Sequence, residues 1–211
     1  MKKIHTPFIG FINKPYPYGS ITQYYGENPD MYRKICPIAG QCLQGHNGID
    51  IVAPYGTPLL AVEDGVIYEV NDDTGGYGRH VRIFTQVMED GYRHEWTYGH
   101  LSKILCTKGQ IVKRGDVIGL MGNSGFVVTD PKANGFWSAN PFAGTHVHLG
   151  LREYDKHSNV LNYDNGEFGS IDFAGLLPES DQGDVDTYNT VLNMNKLLII
   201  LQNANITIKK P

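Results

Sequence analysis

With 211 residues, 41% of them apolar, the chain can bury one domain core but is too short for two full domains. A formal net charge of −4 and the lack of any basic run exclude general electrostatic capture of nucleic acid or of an anionic membrane surface. No stretch approaches the ~20 consecutive apolar residues of a spanning helix, which excludes a membrane span of that type.

In chain order, residues 1–18 form an extended lead-in rich in Pro, Tyr and Gly, without the apolar core and cleavage site of a secretion signal. Residues 28–45 read as an irregular loop. It holds Cys36 and Cys42, whose spacing is compatible with a small disulfide loop or with two reduced thiols, and leaves Cys106 single. From Ile49 onward the runs "GIDIVA", "TPLLAVEDGVIYEV", "GRHVRIFTQV", "EWTYGHLSKIL", "GQIVKRGDVIGLMG" and "THVHLGLREY" predict short strands. The turn signals "DDTGGYG", "EDG" and "KRGD" separate them as in an antiparallel sheet, so the fold class is mainly β. Between Gly125 and Gly144 a long loop carries Phe126, Phe136, Trp137 and Phe142, and a loop of that length inside a compact domain is functional or disordered. Residues 181–202 place Val185, Tyr188, Val191, Leu192, Leu198 and Leu201 at spacings of three and four, which predicts an amphipathic helix packed on a partner surface.

Chemistry concentrates in the histidines, at positions 5, 46, 80, 94, 100, 146, 148 and 157. On a strand, His146 and His148 project to one face with Cα atoms about 6–7 Å apart. Such a pair alone is more often solvent-facing or hydrogen-bonded than metal-binding. In "GHNGIDIVAP", His46 precedes Asp50 by four residues, but Gly48, Ile49, Ile51, Val52 and Pro54 disfavour a helix. A straight strand would separate the two by about 13 Å, too far to share one ion, so a bend is predicted at Asn47 and Gly48, with glycine permitting it. A capped turn with an incidental histidine is the other reading of this motif by itself. In "TYGHLS", His100 falls in a strand-like segment. The helical metalloprotease motif His-Glu-x-x-His is excluded at "HEWTYGH", because Tyr98 stands where its second histidine is required. His94 and Glu95 read as exposed strand residues, and His5, His80 and His157 have no partner pattern. One carboxylate with two imidazoles would make a zinc site with its fourth position open, whereas the cysteines lack the paired spacing of a structural zinc site.

Taken together and in this order, "HNGID", "TYGHLS" and "THVHLGL" resemble the lysostaphin-type (LytM-like) zinc endopeptidases that cut peptidoglycan peptides. The resemblance spans residues 19–153: "GSITQYYGE" is similar to that family's first strand, and "GTPLLAVEDGVI" and "KGQIVKRGDVIGLMGNSG" to its core hairpins. It implies an antiparallel β-sheet groove of the duplicated hybrid motif type with long active-site loops and a zinc peptidase domain over residues 19–178, whereas the C-terminal helical segment over 179–211 departs from the family pattern. It also implies one Zn2+ per chain held by His46, Asp50 and His148, with His100 and His146 as unligated catalytic histidines. The reaction implied is amide hydrolysis, with imidazoles as proton carriers. The partner implied is bacterial peptidoglycan, cut in glycine-rich cross-bridges or at D-alanyl to diaminopimelyl links. Residues 28–45 and 126–143 exceed the compact family core, and both are expected to wall the substrate groove. Tyr98, Phe136 and Trp137 are the expected groove contacts, although anchoring of the loop explains the last two equally well.

Two other classes compete. The hairpins also resemble biotinyl or lipoyl carrier domains, but no lysine-bearing tip is present. A catalytically inactive scaffold that binds peptidoglycan or activates another hydrolase would lack ligands or histidines, and all five positions are filled. The expectation is therefore a cell-wall hydrolase acting outside the cytoplasm. It is read as a phage lysin or virion component, with the C-terminal helix as its attachment or oligomerisation element; a bacterial enzyme without its signal comes second.

Overall fold

The computed structural model describes Ile4, Pro7 and residues 20–73, 75–127 and 143–177. Phe136, Trp137 and the segment 181–202 lie outside the described residues. No helix among the described residues is long and apolar enough to cross a membrane.

Among the described residues ten strands follow one another: β1 Ser20–Gln23, β2 Ile49–Val52, β3 Pro58–Leu60, β4 Gly65–Asp72, β5 Arg79–Phe84, β6 Arg93–Gly99, β7 Leu101–Ile104, β8 Ile111–Val112, β9 Val117–Met121 and β10 Val147–Tyr154. They build a seven-stranded sheet in the order β1-β2-β10-β6-β5-β4-β8 and a three-stranded sheet in the order β3-β9-β7, with every pairing antiparallel. Period-2 alternation sets the two faces of the larger sheet. Val147, Leu149 and Leu151 of β10, Trp96 and Tyr98 of β6, and Val81 and Ile83 of β5 are all buried on one face. They form a single core with Leu59, Leu101, Ile118 and Met121 of the smaller sheet. The intervening residues, His148, Gly150 and Arg152 on β10 and Glu95, Thr97 and Gly99 on β6, face the other way and floor a groove.

The mainly β, groove-forming architecture matches the expectation, and the structure refines it in four places. Residues 28–45 contain a one-turn helix, α1 Pro29–Tyr32, and the Cys36–Cys42 pair is disulfide-bonded, which closes this loop on itself. "EWTYGHLSKIL" is not one strand: His100 sits between β6 and β7 with φ 64°, a left-handed turn that carries the chain from the larger sheet to the smaller. His94 and Glu95 are buried rather than exposed. His94 Nδ1 meets Glu63 Oε2 at 2.7 Å, and Glu95 accepts the Tyr68 and Tyr154 hydroxyls beneath Arg82 and Arg152. His80 is likewise partnered, its Nδ1 donating to the Gly78 carbonyl at 2.8 Å and its Nε2 lying 3.1 Å from Glu69.

Tyr98 is not a groove residue. It is fully buried on the core face, and its hydroxyl oxygen accepts the Val62 N–H at 2.8 Å. Tyr98→Phe strands that N–H in an apolar core, at an expected cost of about 1–3 kcal/mol. Urea unfolding should show the loss; an unchanged midpoint would mean that the Tyr98 hydroxyl contributes nothing to holding the Val62 N–H.

Candidate active site

Strand pairing brings the three sequence motifs into one row. Asp50 on β2 pairs with His148 on β10, and His148 pairs on its other side with Gly99 of β6, the residue before His100. The chain bends at Asn47 and Gly48, as expected, and this returns His46 to the same point: His46 Nε2 lies 3.1 Å from Asp50 Oδ1, although the two are four residues apart. Gly48 does not take the left-handed φ that would make it a torsional hinge. Its requirement is space, since a Cβ there would stand 2.5 Å from the Leu149 carbonyl oxygen and 2.6 Å from His148 Cε1.

His46 Nε2, Asp50 Oδ1 and His148 Nδ1 form a tight triangle, with 2.9 Å between the two imidazoles and 3.1 Å from each to the carboxylate. All three residues are buried, and they are the one group among the described residues spaced to hold a metal ion. Their hydrogen bonding indicates what belongs there. His46 Nδ1 donates to the Tyr24 carbonyl at 3.2 Å, which leaves its Nε2 with a lone pair aimed into the triangle. Burial pushes the Asp50 carboxyl up, but the His146, His46 and His148 rings beside it outweigh burial and hold the group well below the usual carboxylate range. At most one proton, on His148 Nδ1, could lie between these acceptors, and His148 Nε2 has no hydrogen-bond partner among the described residues. A small cation satisfies all three lone pairs at once. One carboxylate with two imidazoles suits zinc, whose tetrahedral ligands at about 2.0 Å stand about 3.3 Å apart.

Two further histidines flank the triangle. His100 Nδ1 donates to the Ser124 carbonyl and His146 Nδ1 to the Gly144 carbonyl, each at 2.8 Å, so each ring is anchored there and leaves its Nε2 for the site. Their centroids are 4.6 Å apart, and His146 Nε2 lies 3.5 Å from Asp50 Oδ2, the carboxylate oxygen outside the triangle. Burial pushes the His100 imidazole well below its ordinary range, and the neighbouring His146 and His148 push it the same way. His100 is thus neutral. Its left-handed backbone is locked by its N–H to the Tyr77 carbonyl at 2.7 Å, and strain of this kind collects at functional sites. Gly78 and Gly125 hold the Ser124 segment in place: each has positive φ, and a Cβ on either would fall within 2.5 Å of the other's backbone nitrogen.

The site opens into a cleft of about 660 Å3, partly walled by Tyr32, Ile35 and Leu43 of the 28–45 loop and by Tyr163 and Phe168. The loop therefore stands where the groove expectation put it. Sequence reading missed the 163–168 wall, and it missed Glu167, buried beside Gln44 and Gly45 just before His46, where the neighbouring Gly166 carbonyl accepts the Gln44 N–H at 3.0 Å. Burial raises that carboxyl to about 7, against the opposing influence of the Gln44 and Gly45 backbone and of His46. No motif marked it, because the contact joins segments more than 100 residues apart.

A sequence profile of Peptidase family M23 matches residues 44–160, more than half of the chain. The chain is 39% identical over 95 residues to peptidoglycan DD-endopeptidase ShyA of Vibrio cholerae, a stretch that is 45% of this chain and 20% of that protein. It is 31% identical over 142 residues to Endolysin 2638A of Staphylococcus phage 2638A, which is 66% of this chain and 24% of that one. The chain therefore covers about a fifth to a quarter of the length of these two relatives. Among solved structures, the catalytic domain of the prophage-encoded M23 protein EnpA from Enterococcus faecalis is 30% identical. That likeness covers 72% of this chain and 94% of the other, with a TM-score of 0.45.

Proposed function

The chain belongs to Peptidase family M23, and from that premise we propose that it is a zinc-dependent endopeptidase hydrolysing amide bonds in the peptides of bacterial peptidoglycan. The observation that carries this reading is the convergence of His46, Asp50 and His148 on one point at the head of a peptide-sized cleft, flanked by His100 and His146. When bound there, zinc supplies Lewis acidity toward a scissile carbonyl and lowers the pKa of water. The chain supplies the rest. His46, Asp50 and His148 hold the ion, and the Tyr24 carbonyl fixes the ring of His46. His100 and His146, anchored at Nδ1, each take up and return a proton at Nε2, which is what amide hydrolysis needs at the attacking water and at the leaving amine.

Zinc-loaded protein should release new amino termini from purified peptidoglycan. A chelator should abolish the release, and one equivalent of zinc should restore it. Full activity in metal-free protein would overturn the zinc assignment; a zinc-loaded protein that binds sacculi without cutting them would make the chain an inactive scaffold. The finer setting we propose is a phage lysin or virion-associated hydrolase acting on the cell wall, supported by the likeness to a phage endolysin over 66% of the chain.

A further inference from the structure

Beyond the metal triangle the cleft runs along the groove face of β10, where His148 is followed by Gly150 and then Arg152. Across the sheet Gly150 pairs with Thr97, Arg152 with Glu95, and Arg82 with Thr97. The floor between metal site and arginines is therefore low. A Cβ on Gly150 would stand 3.5 Å from His148 Nε2 and 3.6 Å from the Asn47 carbonyl oxygen, ordinary contacts, so no close packing demands glycine there.

At the far end, Arg82 and Arg152 converge over Glu95, which is completely buried. Their Nη1 atoms lie 3.9 and 3.5 Å from Glu95 Oε1, long for hydrogen bonds, and that oxygen has no hydrogen-bond partner among the described residues. The other oxygen is taken by the Tyr68 and Tyr154 hydroxyls. Glu95, joined at Arg82 by Glu69, whose Oε2 lies 3.6 Å from its Nη1, thus holds the guanidiniums by charge without saturating their donors, and Arg82 Nε is also buried without a partner among the described residues. Both arginine side chains stay about 20% exposed and line the cleft. With Lys34 they give its described lining three cations and no carboxylate, in a chain whose net charge is −4.

We propose that Arg82 and Arg152 form the specificity site of this cleft and bind a free carboxylate of the substrate, so that the substrate class is an acidic peptide rather than a neutral glycine bridge. This deepens the endopeptidase reading and rests on it. Four residues of strand separate His148 from Arg152, about 13 Å, the length of about four extended substrate residues. The carboxylate therefore falls three to four residues from the cut bond. The planar guanidinium fork matches a carboxylate in two-point geometry, which a lone ammonium does not.

The test uses zinc-loaded protein and synthetic peptides that differ only in Glu against Gln, scanned two to five residues from the scissile bond on either side. At one position the acid should be cut with a kcat/KM at least about tenfold higher than the amide, carried by KM. Arg82→Gln and Arg152→Gln should each collapse that ratio to within about twofold. The ratio is taken on one protein sample, so it does not depend on the fraction that is folded. In each single variant the remaining arginine still faces buried Glu95, so neither variant leaves that carboxylate uncompensated. Equal rates for acid and amide at every position, or a preference that survives these variants, would overturn the assignment. If no peptide is cut, the endopeptidase reading fails. Calorimetry with the same peptides then decides the arginine site, since tighter binding of the acid that is lost in the variants supports it and equal binding refutes it.

Discussion

His148→Ala should give a folded protein that holds no zinc and cuts no peptide, whereas His146→Ala should hold one zinc per chain and still cut none. The two histidines flank Val147, His148 within β10 and His146 just before it, bridged to Gly122, and their surroundings separate them. His148 Nδ1 is a corner of the triangle, 2.9 Å from His46 Nε2 and 3.1 Å from Asp50 Oδ1, in a residue that is 3% exposed. His146 reaches only the outer oxygen of Asp50, at 3.5 Å, and its other nitrogen is spent on the Gly144 carbonyl. Removing one of three ligands should weaken zinc binding by more than the about 10–100-fold that follows loss of a residue merely orienting a ligand. Removing a proton carrier should lower turnover by about 10²–10⁴-fold with metal retained. Zinc content, circular dichroism and release of amino termini from sacculi read the three quantities separately. Equal metal loss in both variants would show that the pair acts as one ligand unit.

The convergence of His46, Asp50 and His148 was legible because these residues sit in short motifs whose order along the chain is enough to identify them. What the sequence could not show depends on which strand lies beside which. Asp50 and His148 meet because β2 and β10 are neighbours in a sheet whose order departs from chain order. Tyr98 was misplaced for the same reason. It alternates with Thr97 and Gly99, and only the register against Leu149 and Val81 fixes the face carrying Trp96 and Tyr98 as the core face. Glu95 and His94 look solvent-facing as charged residues in a strand, yet each is buried with partners from elsewhere in the fold: Arg82 and Arg152 on other strands for the first, Glu63 between β3 and β4 for the second. His100 defeated period-2 reading because a left-handed residue between two strands resets the alternation. Gly48 was flagged for a reason the structure replaces, torsional freedom giving way to steric room.

That replacement yields the second large effect. Gly48→Ala should leave the fold intact and damage the metal site. An added Cβ meets the Leu149 carbonyl oxygen at 2.5 Å and the His148 ring at 2.6 and 2.7 Å. The carbonyl belongs to a strand paired on both sides, with β2 and with β6, and cannot yield without breaking a ladder. The His148 ring or the 46–48 bend must move instead, and either motion opens the triangle. Core residues Ile49, Ile51, Val147 and Leu149 are untouched, so the stability loss should stay within the about 1–3 kcal/mol typical of overpacking. Zinc affinity should fall by about 10–100-fold, because ligands are displaced rather than deleted. Gly150→Ala is the matched comparison on the adjacent strand. Its Cβ would make contacts of 3.5–3.7 Å, including one to the same His148 ring, and zinc affinity should change by less than about threefold. Competition titration against a zinc chelator measures both variants. Wild-type affinity in Gly48→Ala would mean that the bend relaxes freely and that glycine is not required at this position to shape the site.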